Sequence, residues 1–402
     1  MTYLPFPPTD GALGTSFADK SQPKIMILGV GDLANHVINQ LLARPGTTRL
    51  TLAGRNEAAL RQRANLARYA AANCGVLAEI DVVRIDLEDV EATAEALAAA
   101  RPDILFMGAS LQSWRRLTEL PKPAFEDLDE AQFGPWLPMH LTLNYNLMRA
   151  IRDAGIAPRV VNAAFPDAVN PILSKVGLAP DLGIGNVSNI IPALTFAIAS
   201  LTGIAAADLQ VRLVSQHYFS HFVPRAGHKG NGDYHLSVTR RDGTPVTVDH
   251  SAAFRLLDGP FKRLGGVAGQ LLTAGSATRV LAAMAEDRPV AAHTPGPSGL
   301  PGGYPVRISA SGATLDLPEE LSLEEAIGIN ERCQRADGIE AIADDGTVTY
   351  TEREMAIMKR LLGYSIRTMR LADSAAQAAE LAAKFAEFGA RVRAGAPLRM
   401  AG

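Results

Sequence analysis

The stretch KIMILGVGDLANHVINQLL, residues 24–42, decides the fold. Ile25, Met26, Ile27 and Leu28 form an unbroken apolar run ending at Gly29, the pattern of a parallel strand buried on both faces. After it Leu33, Val37, Ile38, Leu41 and Leu42 recur at helical spacing. The turn between them therefore opens onto a helix N-terminus, where free N–H groups and the helix dipole favour a diphosphate. Gly29 permits the tight turn, Gly31 lets the diphosphate approach the backbone, Asp32 and Leu33 complete the turn, and Ala34 is the third small residue. A lone GxGxxA says little; between a buried strand and an amphipathic helix it points to a dinucleotide.

The alternation continues downstream. RLTLA (49–53) reads as a second strand, and the Ala-rich run from Asn56 to Cys74 as a helix capped by Asn56. AEIDVVRIDL (78–87) supplies a third strand and VEATAEALAAARP (90–102) a helix. DILFMGA (103–109) is a fourth strand, followed by a polar connection holding Trp114, Arg115 and Arg116. The amphipathic segment 141–155 and the strand opening RVVNAAFPDAV (159–169) complete a βαβαβ succession. This is an α/β, Rossmann-type doubly wound parallel sheet over residues 23–185, with its ligand crevice at the strand C-termini. An irregular arm rich in Pro and Gly precedes it (1–22).

Residues 186–402 read as an α+β substrate and association domain. The apolar segment 189–206 is broken by Pro192, Gly203 and hydroxyl residues, so a buried helix suits it better than a membrane span. LQVRLVSQHYFSHFV (209–223) reads as a strand and 235–249 as a hairpin turning at Asp242-Gly243. A helix follows (267–286), then a Pro/Gly-rich loop (293–305), a second hairpin (339–351) and two long helices (352–372 and 373–394).

The 39 basic and 42 acidic side chains leave a formal charge of −3, which gives no reason to expect nucleic acid or an anionic membrane as partner. Two cysteines, Cys74 and Cys333, cannot build a disulfide framework, and the N-terminus shows no secretion signal; a cytoplasmic protein is expected.

Cofactor choice is read after the second strand. A carboxylate there would hold a ribose 2′-hydroxyl; this chain has Gly54-Arg55-Asn56 instead. Arg55 can pair with a 2′-phosphate, which favours NADP, with NAD as the alternative. Asp86 either touches the adenine or, preferably, caps the next helix. Gly108, Ala109 and Ser110 follow the fourth strand where a small backbone lets a cofactor pass. Asn162, late in the fifth strand, either bonds the nicotinamide or packs.

GVGDLA, MGAS with its arginine-bearing loop, VVNAAFPDAV, GIGNVSNIIPAL and VSQHYFSHFVPR occur in the order found in lactate and malate dehydrogenases. Over roughly residues 23–240 the chain resembles that superfamily, whose fold the NAD-dependent glycosidases share. TLAGRN also resembles the NADP turn of saccharopine-dehydrogenase-type domains. The resemblance puts His217 in the position of the catalytic histidine, a residue suited to proton transfer near neutrality. It also makes Arg115 and Arg116 a lid that clamps a substrate carboxylate.

The departures bear on substrate. The family's central helix carries an Asp that orients the histidine and an Arg that grips the carboxylate; here it reads Gly185-Asn186-Val187-Ser188-Asn189-Ile190-Ile191-Pro192-Ala193. Asn186, Ser188 and Asn189 then line a neutral, hydrogen-bonding pocket with His221, and Asp167 is a displaced acid. Phe165-Pro166 replaces the family's Asn-Pro, and Gly185 stands where the glycosidases place a cysteine before an asparagine. On a strand His217 and His221 would lie about 13 Å apart, too far to chelate one ion, so no metal is expected.

Together these features imply an NADP-dependent dehydrogenase or reductase, passing hydride to or from a small carbonyl or imine that bears a carboxylate or polar group. It would work as a homodimer. The alternatives are an enzyme using a retained nicotinamide without net redox, as the related glycosidases do, and a dinucleotide sensor.

Overall fold

A computed structural model of the protein describes residues 22–395; the expected N-terminal arm, apart from Gln22, lies outside the described residues. The first half runs β1 (Ile25–Leu28), α1 (Asp32–Leu42), β2 (Arg49–Gly54), α2 (Glu57–Asn73), β3 (Glu79–Arg84), α3 (Val90–Ala100) and β4 (Ile104–Met107). Three helices, α4 (Arg115–Thr118), α5 (Lys122–Asp129) and α6 (Leu137–Asp153), precede β5 (Arg159–Asn162), α7 (Pro166–Ser174) and β6 (Leu182–Gly183). The six strands form one parallel sheet in the order β3-β2-β1-β4-β5-β6. That order is the Rossmann arrangement, and it reverses between β1 and β4, where a crevice opens.

Strand β1 is apolar throughout because it is buried on both faces. Ile25 and Ile27 join the cluster beneath α1, while Met26 and Leu28 join the opposite cluster around Trp136 and Leu147. The register sets Leu28 beside Ala53 and Met107, and Met107 beside Asn162. One residue further, Gly29, Gly108 and Ala163 donate their N–H groups to Ala53, Leu28 and Met107. Small residues therefore stand side by side at the sheet's C-terminal edge.

The second half comprises α8 (Val187–Thr202), β7 (Leu209–Val214), α9 (His217–Ala226), β8 (His235–Arg240), α10 (His250–Asp258), α11 (Gly266–Ala285), β9 (Val290–Pro295), β10 (Gly303–Ser309) and β11 (Gly312–Leu315). It ends with α12 (Leu323–Ala336), β12 (Ile339–Ile342), β13 (Val348–Tyr350), α13 (Glu352–Leu362), β14 (Thr368–Met369) and α14 (Ser374–Arg393). A separate apolar core joins α8, β7, α9, β8 and α10. Helix α11 packs on α1, and α14 packs on α6, so late elements cover both faces of the parallel sheet.

Several expectations are corrected. Residues 217–223, expected to extend strand β7, belong to helix α9: Gln216 caps it by accepting from the Tyr218 N–H, and Gly227 ends it in the left-handed region. Strand β8 pairs along its length with β7; of the expected hairpin partner, the Thr244 carbonyl accepts from the Arg240 N–H and the Val246 N–H donates to Val238, which sets Pro245 opposite Thr239. The expected Pro/Gly loop contains the end of β9 and the start of β10. The first of the two C-terminal helices stops at Gly363 (φ +70°), so 352–372 is one helix of eleven residues followed by a short strand. No helix among the described residues is long and apolar enough to cross a membrane.

Candidate active site

At the β1/β4 edge lies a cleft of about 400 Å³. Its floor is the glycine turn: Gly29, Gly31, Asp32, Leu33 and Ala34 line it together with Gly108 and Ser110. Gly29 sits at φ +84°, and a Cβ there would lie 2.6 Å from the Ala109 nitrogen, so β1 and β4 can close to this distance only at glycine. At Gly31 a Cβ would meet nothing within 4 Å. Among the described residues no side chain caps helix α1, which leaves its first amides free to face an anion in the cleft. These features fit the diphosphate of a dinucleotide.

The opposite wall carries His217, at the first position of α9. Its Nδ1 lies 2.9 Å from Asp337 Oδ2, and among the described residues Nε2 has no partner. Asp337 is buried and is the C-cap of α12. Gln216 Nε2 donates to the same oxygen at 3.1 Å, and the Phe133 N–H donates to the other at 3.4 Å. The Asp337 carbonyl accepts from the Gly134 N–H at 2.7 Å, where any Cβ on Gly134 would collide with it. Burial opposes a charge on His217, but the Asp337 carboxylate outweighs it, and the imidazole is held above its ordinary pKa. The orienting acid absent from the central helix is thus supplied from 120 residues downstream.

Asp167 lies fully buried behind Asn186, whose Nδ2 donates to its Oδ2; among the described residues Oδ1 has no partner. Burial lifts this carboxyl to about 6, against the lowering effects of His217 and Asn186. Asn186 lines the cleft from a left-handed backbone (φ +48°, ψ −112°), a strained conformation held by that bond and by the start of α8. Because the folded state raises the Asp167 pKa, its protonated form contributes stability at low pH that is lost as pH rises from about 4 through 6. Asp167→Asn is therefore expected to gain about 3 kcal/mol relative to the parent between pH 4 and pH 8. Thermal melts across that range check this; a pH-independent difference between the two proteins would contradict it.

Aromatic rings fill the inner end. The Phe133 ring lies 4.9 Å from Trp114, 4.9 Å from His140, 4.5 Å from Phe165 and 4.7 Å from His217. All five line the cleft. Burial, reinforced by the charge of His217, pushes His140 down to about 3, so it is neutral.

The other expected residues divide clearly. Arg115 reaches the cleft, but its guanidinium is bound to Asp32 at 3.0 Å and lies 3.7 Å from Glu119. Arg116 pairs with Glu119 outside the cleft, so the two arginines do not form a clamp. His221 stacks on His217 at 5.4 Å, one helical turn away, and approaches Asp129 at 4.0 Å. The separation expected on a strand is thereby overturned; among the described residues, no group of three or more His, Cys, Asp or Glu is placed to hold a metal ion. Ser188 donates to the Gly185 carbonyl and Asn189 to Thr273, so both serve the α8 start rather than the cleft. Asn162 is fully buried and satisfied by Ala164 and Asn170: of its two expected roles, it packs.

Gly54, Arg55 and Asn56 stand at the end of β2, away from the inner cleft. Asn56 caps α2 through the Ala59 N–H, and Arg55 is exposed, 3.5 Å from Glu88. Asp86 does not cap α3; Asp89 does, while Asp86 accepts from the Glu88 N–H. Ala109 packs against Gly29.

Sequence reasoning missed Asp337, Phe133, His140 and Gln270. For Asp337 a signal existed. A carboxylate at a helix C-terminus opposes the helix dipole, and a buried one there needs a donor or cation from elsewhere.

No family model and no curated protein matches the sequence. Solved structures do resemble it. The malate dehydrogenase from Aeropyrum pernix superposes with a TM-score of 0.52 at 16% identity, covering 78% of this chain and 96% of that one. A lactate dehydrogenase from Eimeria maxima, solved with NADH and oxamate, gives 0.51 at 12% identity, covering 79% and 93%. With its parallel six-stranded sheet and the α+β region that follows, the chain has the fold of the lactate and malate dehydrogenases.

Proposed function

We propose that the protein is a nicotinamide-dinucleotide-dependent oxidoreductase, and that it transfers hydride between NADP and a small carbonyl, imine or alcohol. One observation carries the reading: the glycine turn and the Asp337-oriented His217 line the same cleft. A nicotinamide bound there supplies or accepts hydride at carbon. The protein's own residues do the rest. Asp337 accepts from Nδ1–H and so fixes the tautomer, leaving Nε2 to hold the proton exchanged with the reacting oxygen or nitrogen. The carboxylate also stabilises the imidazolium, so His217 keeps its proton to a higher pH than a free imidazole. Asp167 positions Asn186 beside it. The ring wall keeps water from the inner cleft.

NADP is preferred because Gly54-Arg55-Asn56 puts a guanidinium, not a carboxylate, at the end of β2. Glu88 holds Arg55 only through a solvent-exposed contact, which is worth little and which a phosphate dianion can displace. The dehydrogenases sharing the fold, one of them solved with NADH, support the cofactor class. Calorimetric titration with NADPH and NADH tests the reading. NADPH is expected to bind at least about tenfold tighter, a difference of about 1.4 kcal/mol that Arg55→Ala erases. Tighter NADH binding would make this an NAD enzyme, and absence of binding by either would end the hydride-transfer reading.

A further inference from the structure

The substrate end of the cleft is chemically unlike a carboxylate site. Trp114 and Phe133 are large rings left only partly buried, and both face the cleft. Arg115 is the one arginine or lysine among the described lining residues, and it is held by Asp32 and Glu119. The imidazolium of His217 is matched by Asp337, with Asp167 close behind. His140 is neutral. A carboxylate entering here would lose its hydration, and the one guanidinium among the described lining residues would have to give up Asp32 and Glu119 to replace it.

The unmet hydrogen bonds point the same way. His140 Nδ1 and Gln270 Oε1 are buried, belong to residues lining the cleft, and have no partner among the described residues. The amide oxygen can only accept, and the neutral imidazole nitrogen accepts in one tautomer, so the alcohol form of a ligand offers a donor that a carboxylate lacks, while its carbonyl form brings no charge to desolvate. The matching ligand has a flat apolar body and no charge.

We propose that the inner cleft selects a neutral, carboxylate-free substrate, an aromatic alcohol or its carbonyl counterpart, packed on the Phe133 and Trp114 rings. The hydride-transfer reading enters only in naming the alcohol and carbonyl; the neutral, aromatic character stands on the lining alone.

The test is binding to the full chain, with and without saturating NADPH or NADH. Benzamide, benzoate and oxamate serve as probes, read by calorimetry and by Trp114 fluorescence. Benzamide is expected to bind at least tenfold tighter than either anion. Trp114→Leu should weaken benzamide about tenfold and leave the anions unchanged; Phe133→Leu repeats the test from inside the wall, and the loop variant suffices if it misfolds. Tighter binding of benzoate or oxamate, or no benzamide binding, overturns the proposal. If benzamide behaves as expected while neither nucleotide binds, the hydride-transfer reading falls and the neutral aromatic site remains. With NADPH bound, benzaldehyde should be reduced faster than phenylglyoxylate, which differs by one carboxylate; the reverse order also overturns it.

Discussion

Asp337→Asn is expected to lower kcat/KM by about 10²–10⁴-fold, the usual contribution of a positioned acid–base group, with nucleotide affinity unchanged. The side chain keeps its shape but loses its charge. His217 then has no carboxylate to stabilise its imidazolium, and the amide can support the wrong tautomer by donating to Nδ1. Its pKa should fall, so the limb of the pH–rate profile assigned to His217 should move to lower pH. A merely structural role for Asp337 would not move that limb. His217→Gln should cost a comparable factor, and the double variant little more, because the two residues act as one unit. Full activity in Asp337→Asn with an unmoved profile would remove the pair from the mechanism.

The second large effect separates the two glycines of the turn. Gly29→Ala places a methyl group 2.7 Å from the Ala109 Cα and Cβ in a backbone region that disfavours it, so β1 and β4 must part. Left-handed strain and overpacking together are expected to cost about 2–5 kcal/mol, read from the urea midpoint. Gly31→Ala has an ordinary φ of −95° and meets nothing within 4 Å. It should fold nearly as stably as the parent, yet project its methyl where the diphosphate must approach, weakening NADPH and NADH alike. Unimpaired nucleotide binding by Gly31→Ala would mean that the turn is not the cofactor's seat.

The sequence was a good guide to the sheet and a partial one to the site. Wherever period and punctuation agree, as in Ile25–Leu28 followed by the α1 stripe, the pattern in the chain is the pattern in space. The 209–223 segment misled because its β-branched and aromatic residues favour strand, while Gln216 and Gly227, which bound α9, act through capping geometry. Arg115 and Arg116 could be found, but not the carboxylates that hold them.

The alternation of strand and helix from β1 through β5, and the glycine turn, were legible in the sequence, and the family resemblance singled out His217. The alternation and the turn rest on interactions within a few residues, where periodicity and backbone freedom leave a local trace. Only the tertiary structure decided that His217 lies at a helix start, that Asp337 orients it and that Asp167 underlies Asn186. It alone brought Phe133 and Trp114 together with His140 as the inner wall. Those groups meet across long stretches of chain, and what joins them is the packing of α9, α12 and the residue 133–140 segment around one buried carboxylate. No local spacing encodes such a meeting.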